Sequence, residues 1–345
     1  MTRARWLLAI PILVGVGLVG FAARGCRRHL PERSTEPPMP SASGAPEVRR
    51  ERRGGTDVTF LVAADTHVGF ASEEKGAGGG PRDPLREPSA SDRVNLEQVR
   101  SMNRVVEKTY PSPLTGSVAR PRGVLVAGDL TEDGKPWQWE DFVALYGLRG
   151  GDGALDYPVF EIHGNHDKHH SWFVLDRIRE RHGANRYAFD WDDLRVISLG
   201  EAPDDDGLAF LERELRAVGV DRPIVLYLHF ALRGPFSTGN WFADGDYKAR
   251  LARALFGYNV VGLFHGHYHA SGRYQWEGTD VYNVGSTKHD RHSYAVVHVT
   301  DTRFTVASWH YSANVWEFWH DKPINGAREP ERSGGARDDQ GRYLD

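Results

Sequence analysis

Short apolar runs rich in branched residues recur along the chain at Val58–Ala64, Val124–Ala127, Val159–Ile162, Arg195–Leu199, Ile224–Leu228 and Val260–Phe264, and each ends in polar residues. Runs this short suit buried strands. Between them, apolar residues fall at helical spacing. Val94, Val99, Met102, Val105 and Val106 form one stripe, Leu208, Leu211, Leu215 and Val218 a second, and Tyr247, Leu251 and Leu255 a third. Strands alternating with helices predict an α/β domain. After Tyr268 the pattern becomes Arg273–Trp276, Asp280–Val284, Tyr294–Val299 and Phe304–Ser308, separated by tight turns. That part is expected to be antiparallel. No internal repeat interrupts the series. Ala71–Ser91 and Gly147–Asp156 read as a loop insertion beside the first polar motif and a turn-rich connector.

The ends depart from this pattern. An apolar run from Trp6 to Ala23, with Arg3 and Arg5 before it and Arg27 and Arg28 after it, reads residues 1–25 as a signal peptide or N-terminal membrane anchor. Cys26 follows Gly25, a loose lipidation signal. Residues 26–55 are rich in Pro and Arg and read as a disordered tether. The folded domain is then expected over 56–323, with 324–345 a disordered Gly/Arg/Asp-rich tail. An exported protein of the cell envelope follows from this organisation, held to a membrane by its N-terminus or released from it.

Composition narrows the class. Forty per cent of the 345 residues are hydrophobic and 11% aromatic, enough to bury a core and to exclude a wholly disordered chain. Residues 1–55 carry ten Arg and four Glu, a net +6, and the remainder holds 33 basic and 43 acidic residues, a net −10. An acidic body argues against general nucleic-acid binding. A single cysteine excludes an intrachain disulfide or a thiolate metal site, whereas 16 histidines point to imidazole and carboxylate chemistry.

The polar residues at the strand ends carry that chemistry. They are Asp65-Thr66-His67, Gly128-Asp129, Gly164-Asn165-His166-Asp167, His229, and His265-Gly266-His267-Tyr268-His269. Carboxyl ends of strands in an α/β sheet open into one crevice, so these clusters should converge there. Asp65, His67, Asp129, Asn165, His229, His267 and His269 offer seven donors of imidazole, carboxylate and amide type. Such a set suits Mn, Fe, Zn, Co or Ni, and seven donors suit two ions sharing one carboxylate. On an extended segment His267 and His269 would point the same way. His163, His182, His298 and His310 read as satisfied core histidines.

Five motifs in this order, Asp-x-His, Gly-Asp, Gly-Asn-His-Asp, lone His and Gly-His-x-His, resemble the calcineurin-like metallophosphoesterases over roughly residues 57–310. The resemblance implies a sandwich of two mixed β-sheets flanked by helices (α/β/β/α). It also implies a dinuclear site in which Asp65, His67, Asp129 and His269 hold one ion and Asp129, Asn165, His229 and His267 the other. Attack of a hydroxide shared by the ions on phosphorus is then expected, with His166 acting as an acid beside the leaving group. Relatives of this kind often carry Asp where Glu132 stands. Glu132, Asp133 or Asp167 could orient His166, or none of them.

The implied substrate is a small-molecule or lipid-linked phosphate mono- or diester. The motif set resembles the bacterial cyclic-nucleotide-diesterase branch more than the protein phosphatases. An exported nuclease, a phospholipid head-group hydrolase and a metal-binding, non-catalytic anchored module are the alternatives. His169, His170, Arg233, Phe236, Asn240, Trp241, Lys288, His289, Arg291 and His292 are candidate rim residues. Trp309, Tyr311, Trp316, Phe318 and Trp319 are expected to pack a sheet.

Overall fold

Strict alternation in the first apolar run sends its side chains to two faces. Val58, Phe60, Val62 and Ala64 enter one core while Leu61 and Ala63 enter another. A strand buried on both faces is the centre of a layered sandwich. The computed structural model describes residues 53–74, 82–232, 242 and 245–335, all within the compact unit Pro46–Asp345. Residues 1–25, read above as an anchor or signal, nearly all of those read as a tether, and residues 336–345 lie outside the described residues. Among those described, no helix is long and apolar enough to cross a membrane.

The first strands, β1 (Asp57–Ala63), β2 (Val124–Ala127) and β3 (Val159–Ile162), are parallel neighbours. They are followed in the chain by β4 (Ala188–Trp191), β5 (Leu194–Ser198), β6 (Ile224–Tyr227), β7 (Val260–His265), β8 (Gly272–Trp276) and β9 (Thr279–Asn283). These six form the second sheet, in the order β4-β5-β6-β7-β9-β8. The chain then returns to the first sheet with β10 (Ser293–Thr300), β11 (Arg303–His310), β12 (Val315–Pro323) and β13 (Arg332–Gly335). That sheet has the order β13-β12-β11-β10-β1-β2-β3, and both sheets are mixed.

Three apolar layers hold the sandwich. Helices α1 (Ala90–Asn103), α2 (Pro136–Tyr146) and α3 (Phe173–His182) pack Leu96, Val99, Phe142 and Ile178 on the first sheet. Helices α4 (Asp205–Val218) and α5 (Gly245–Leu255) cover the second through Leu208, Leu211, Leu215 and Leu251. Phe60, Trp191, Phe264 and Tyr282 fill the space between the sheets. Two helix starts are capped by side chains: Ser89 and Asp92 form a capping box on α1, and Asp204 accepts the Gly207 N–H on α4.

Four expectations need correction. The late strands are not all antiparallel: β9 runs parallel to β7. In the first helical stripe Val106 is exposed, and Leu96 takes the buried place beside Val99. The tail assigned to 324–345 is ordered as far as Gly335, because β13 pairs with β12 and Arg332 donates to Asp321. Glycine there fits a packed strand, since a Cβ on Gly334 would lie 2.7 Å from the Trp319 indole nitrogen. At the other end Gly54 and Gly55, read as tether, donate their N–H groups to Asp193 and Asp301. The aromatic run does pack a sheet, with Trp309 edge-on to Trp316 at 4.9 Å.

Candidate metal centre

The parallel strands β1, β2, β3, β6 and β7 end on the same side, and each delivers a motif there. The loops are tied to one another by backbone bonds. Asp65 N–H donates to Gly128 O (3.0 Å), His67 N–H to Asp129 O (2.9 Å) and Gly266 N–H to His229 O (3.2 Å). Carboxylates tie the rest: His267 N–H donates to Asp65 Oδ2 at 2.8 Å, and His166 N–H to Asp129 Oδ1 at 2.8 Å. Asp65, His67, Asp129, His267 and His269 all hold positive φ angles between 40° and 70°, which non-glycine residues adopt only where the surroundings enforce it. Those angles also show that His267 and His269 do not lie on an extended segment. A turn, rather than strand alternation, aims them at neighbouring positions.

Two groups of donors result. Ligand atoms of Asp65, His67, Asp129 and His269 lie within 4.8 Å of one another, and so do those of Asp129, His229 and His267. Asn165 joins the second, with Oδ1 at 3.2 Å from His229 Nε2. Asp129 belongs to both. All seven residues of the predicted set are therefore brought together. A third grouping, His67, Glu132 and His166, has its carboxylate already bonded to Lys288.

Hydrogen-bond chemistry tests whether this place fits a cation. His229 Nδ1 is 2.9 Å from the Ala127 carbonyl, which only accepts, so Nδ1 carries the proton. Its Nε2, 3.3 Å from Asp129 Oδ2, is then the nitrogen that faces the site and that an ion would take in place of a proton. His67 Nδ1 faces the Glu132 carboxylate at 2.8 Å, which leaves its Nε2 as an acceptor too. Ser286 Oγ donates to Asp65 O and lies 3.3 Å from His269 Nδ1, so it accepts from that ring and frees His269 Nε2. His67 Nε2 and His269 Nε2 therefore face each other as lone pairs at 3.0 Å, beside Asp65 and Asp129. Acceptors converging in a buried site require a cation between them.

In the metal-free chain a proton on His229 stands in for that cation. Burial opposes the charges, yet His269 and His229 hold Asp65 below the usual carboxylate range, and His229 and His67 hold Asp129 well below it. Burial works against the charged form of His229 as well, but Asp129 outweighs it and pushes the imidazole up to about 10. Burial, then the neighbouring His229, takes His267 down to about 4.

The family profile described as calcineurin-like phosphoesterase matches residues 58–271. The chain belongs to the calcineurin-like phosphoesterase family. It is 29% identical over 195 residues to the glycerophosphodiester phosphodiesterase GpdQ of Enterobacter lignolyticus, covering 52% of this chain and 66% of that protein. It is also 29% identical over 175 residues to a Rhodopseudomonas palustris protein named as a probable cyclic nucleotide phosphodiesterase, covering 45% of this chain and 59% of that one. The matches thus span slightly less than two-thirds of these relatives' own lengths. The fold is shared with GAP50, the anchor in the inner membrane complex of Plasmodium, at a TM-score of 0.51 and 10% identity over 78% of this chain and 89% of that one.

Within this calcineurin-like phosphoesterase, two site assignments change. Neither the Glu132 nor the Asp167 carboxylate orients His166. The His166 Nδ1–H donates instead to the main-chain carbonyl of Glu132 at 2.7 Å. Glu132 has one methylene more than Asp, and its carboxylate reaches past His166 to His67 and Lys288. Asp167 is buried and accepts from Leu130 N, Thr131 N, Thr131 Oγ1 and Gly164 N, which pins the second motif to the third. Burial and then Asp129 push its carboxyl up to about 6. Asp133 pairs with Lys135.

Sequence reading missed the Ser286-Thr287 pair after β9. Thr287 Oγ1 donates to Thr66 O at 2.6 Å and Ser286 braces both Asp65 and His269. Asn95, also missed, donates to Thr66 O from α1 at 3.0 Å. Only the polar residue types at a strand end and on a helix gave a signal for these.

Among the rim candidates, His169 lies against His166 at a ring distance of 4.4 Å and His289 against His269 at 4.8 Å. His170 N–H donates to Asp133 O, His292 stacks on Tyr311, and Arg291 pairs with Glu317. Arg233, Phe236, Asn240 and Trp241 lie outside the described residues. None of the four histidines read as satisfied core residues is both: His182 meets Glu161, His298 meets Asp57 and His310 meets Asp290 O, but these three are only partly buried, and the buried His163 leaves its Nδ1 without a hydrogen-bond partner. His163 is buried, and burial drives it down to about 3.

Close backbone approach makes one glycine decisive. A Cβ on Gly164 would collide with Asp129 Oδ1 and sit 2.8 Å from His229 Nε2. Gly164→Ala is expected to lose about 1–3 kcal/mol of stability through overpacking. It should keep its circular-dichroism spectrum and yet lose metal, measured by elemental analysis, because the shared carboxylate is displaced.

Proposed function

We propose that this protein is an exported or membrane-anchored, metal-dependent hydrolase of small phosphodiesters. The observation that carries the reading is the convergence of imidazole lone pairs with Asp65 and Asp129 in two adjoining groups. The activities named for the two relatives support diesters over monoesters, and the N-terminal apolar run supports the envelope.

Asp65, His67, Asp129 and His269 would hold one ion, and Asp129, Asn165, His229 and His267 the other. When bound, two such ions lower the pKa of a water toward neutrality and neutralise charge on phosphoryl oxygens. The chain does the rest. Backbone N–H groups of His267 and His166 fix the two carboxylates, so neither rotates as charge develops. His166, held through Nδ1 by the Glu132 carbonyl, offers its Nε2 for proton transfer to the leaving alkoxide. Ser286 and Ala127 O fix the tautomers of His269 and His229.

The full chain, depleted of metal and reloaded with Mn, Ni, Zn or Fe, should be offered bis-nitrophenyl phosphate, glycerophosphodiesters, cyclic nucleotides and the matching monoesters. Diester hydrolysis that a chelator abolishes and metal restores is the expected result. Phospholipid vesicles and single-stranded DNA distinguish the head-group hydrolase and the nuclease. Hydrolysis of no ester with metals in place would make the protein a non-catalytic metal-binding module.

A further inference from the structure

We propose that Glu132 and Lys288 form a positioning clamp that acts on one metal position only, through His67; this rests on the two-ion reading above. Glu132 follows the second motif and Lys288 follows β9, so the pair bridges loops from opposite sheets, 156 residues apart in sequence. Lys288 Nζ donates to Glu132 Oε1 at 2.6 Å, and Glu132 Oε2 lies 2.8 Å from His67 Nδ1. Both side chains are about three-quarters buried, at 22% and 24% exposure, so the contacts are only partly screened by water. Lys288 is itself placed by its own N–H, which donates to Ser286 Oγ at 3.0 Å, and Ser286 braces His269.

The consequence is directional. A carboxylate 2.8 Å from Nδ1, a charge contact rather than an aligned hydrogen bond, favours the His67 proton on that nitrogen and leaves Nε2 facing the site. The lysine holds the carboxylate toward itself and stops it from turning inward as an eighth donor. Through its main chain, Glu132 separately holds His166. One residue therefore serves two functional histidines by two different groups, and substitution separates them. Alanine removes the clamp and leaves the carbonyl.

The test is a titration of the metal-free full chain with Mn2+ alone, resolving the two sites by calorimetry and equilibrium dialysis. Glu132→Ala is expected to weaken one site about 10–100-fold, the usual effect of losing a partner behind a histidine ligand. The other site should change by less than about threefold. Lys288→Met should weaken the same site to a smaller extent. The double variant should be no worse than Glu132→Ala, because the lysine acts through the carboxylate. Glu132→Asp, one methylene short of His67, should resemble Glu132→Ala. The melting temperature of each metal-free variant controls for collapse of the loop. Two unaltered sites in Glu132→Ala would overturn the clamp, and so would equal weakening of both sites or full affinity in Glu132→Asp. A wild-type chain that binds no ion would instead overturn the function proposed above.

Discussion

Asp129→Asn is expected to empty both metal positions and abolish measurable turnover. Asp129 is the one residue common to both donor groups, and it is buried with two histidine nitrogens within 3.6 Å. An amide offers one neutral oxygen where the carboxylate offers two charged ones, and its NH2 would turn toward one of the positions. Each ion supplies several kcal/mol of transition-state stabilisation, and about 1.4 kcal/mol is tenfold in rate, so a loss of at least about 10³ in kcat/KM follows. The contrast is Asn165→Ala, which touches only the second group and should chiefly deplete one ion. Elemental analysis of the two variants side by side reads the difference. Equal depletion in both would show that Asp129 is not shared.

His166→Ala is the other large effect, and it should separate chemistry from metal binding. The ring is fixed by the Glu132 carbonyl and sits edge-on to His67 at a ring distance of 4.6 Å, beside the donors rather than among the four of the first group. The variant should keep both ions and its melting temperature while losing on the order of 10²–10⁴ in rate, the scale of general acid help. The loss should be greatest for alkyl esters, whose alkoxides need a proton, and least for nitrophenyl esters, whose phenolates leave without one. Loss of a metal would make His166 a ligand. Equal slowing of all esters would make it a binding residue.

Much of this site was legible before any coordinates, because strand ends in an α/β sheet concentrate function and each motif follows an apolar run. Residues such as Asp65 and His269 could be grouped across 200 positions because sheet topology brings parallel strand ends together. The apolar runs located β1–β3 and β5–β11, and helical spacing located α1, α4 and α5, the last two with sharply amphipathic faces. They missed β4, whose Ala-Phe-Asp-Trp is only four residues long at a sheet edge, and α2, whose apolar residues are mostly aromatic and read equally well as strand. β13 was hidden by composition: glycine suggests disorder, while here it makes room for Trp319. The conformation of His267 and His269 was also out of reach, because positive φ at a non-glycine residue is imposed by tertiary contacts and leaves no local mark.

Side-chain reach decided which of the open alternatives held for His166. Relatives often carry Asp where Glu132 stands, and sequence cannot say where one extra methylene will put a carboxylate. Its own main chain took over that bond, and the carboxylate found His67 and Lys288. Ser286 and Thr287 were invisible for a related reason. Hydroxyls that brace a neighbouring turn are common residues in an ordinary loop until the turn they brace is known.

The central claim is that seven side chains form one site for two ions sharing Asp129. Its most direct measurement is the metal content of the purified full chain after metal-replete growth, by elemental analysis against protein concentration. Two ions per chain, falling toward none in Asp129→Asn, is the predicted result. One ion per chain, or two that survive the loss of the Asp129 carboxylate, would contradict it.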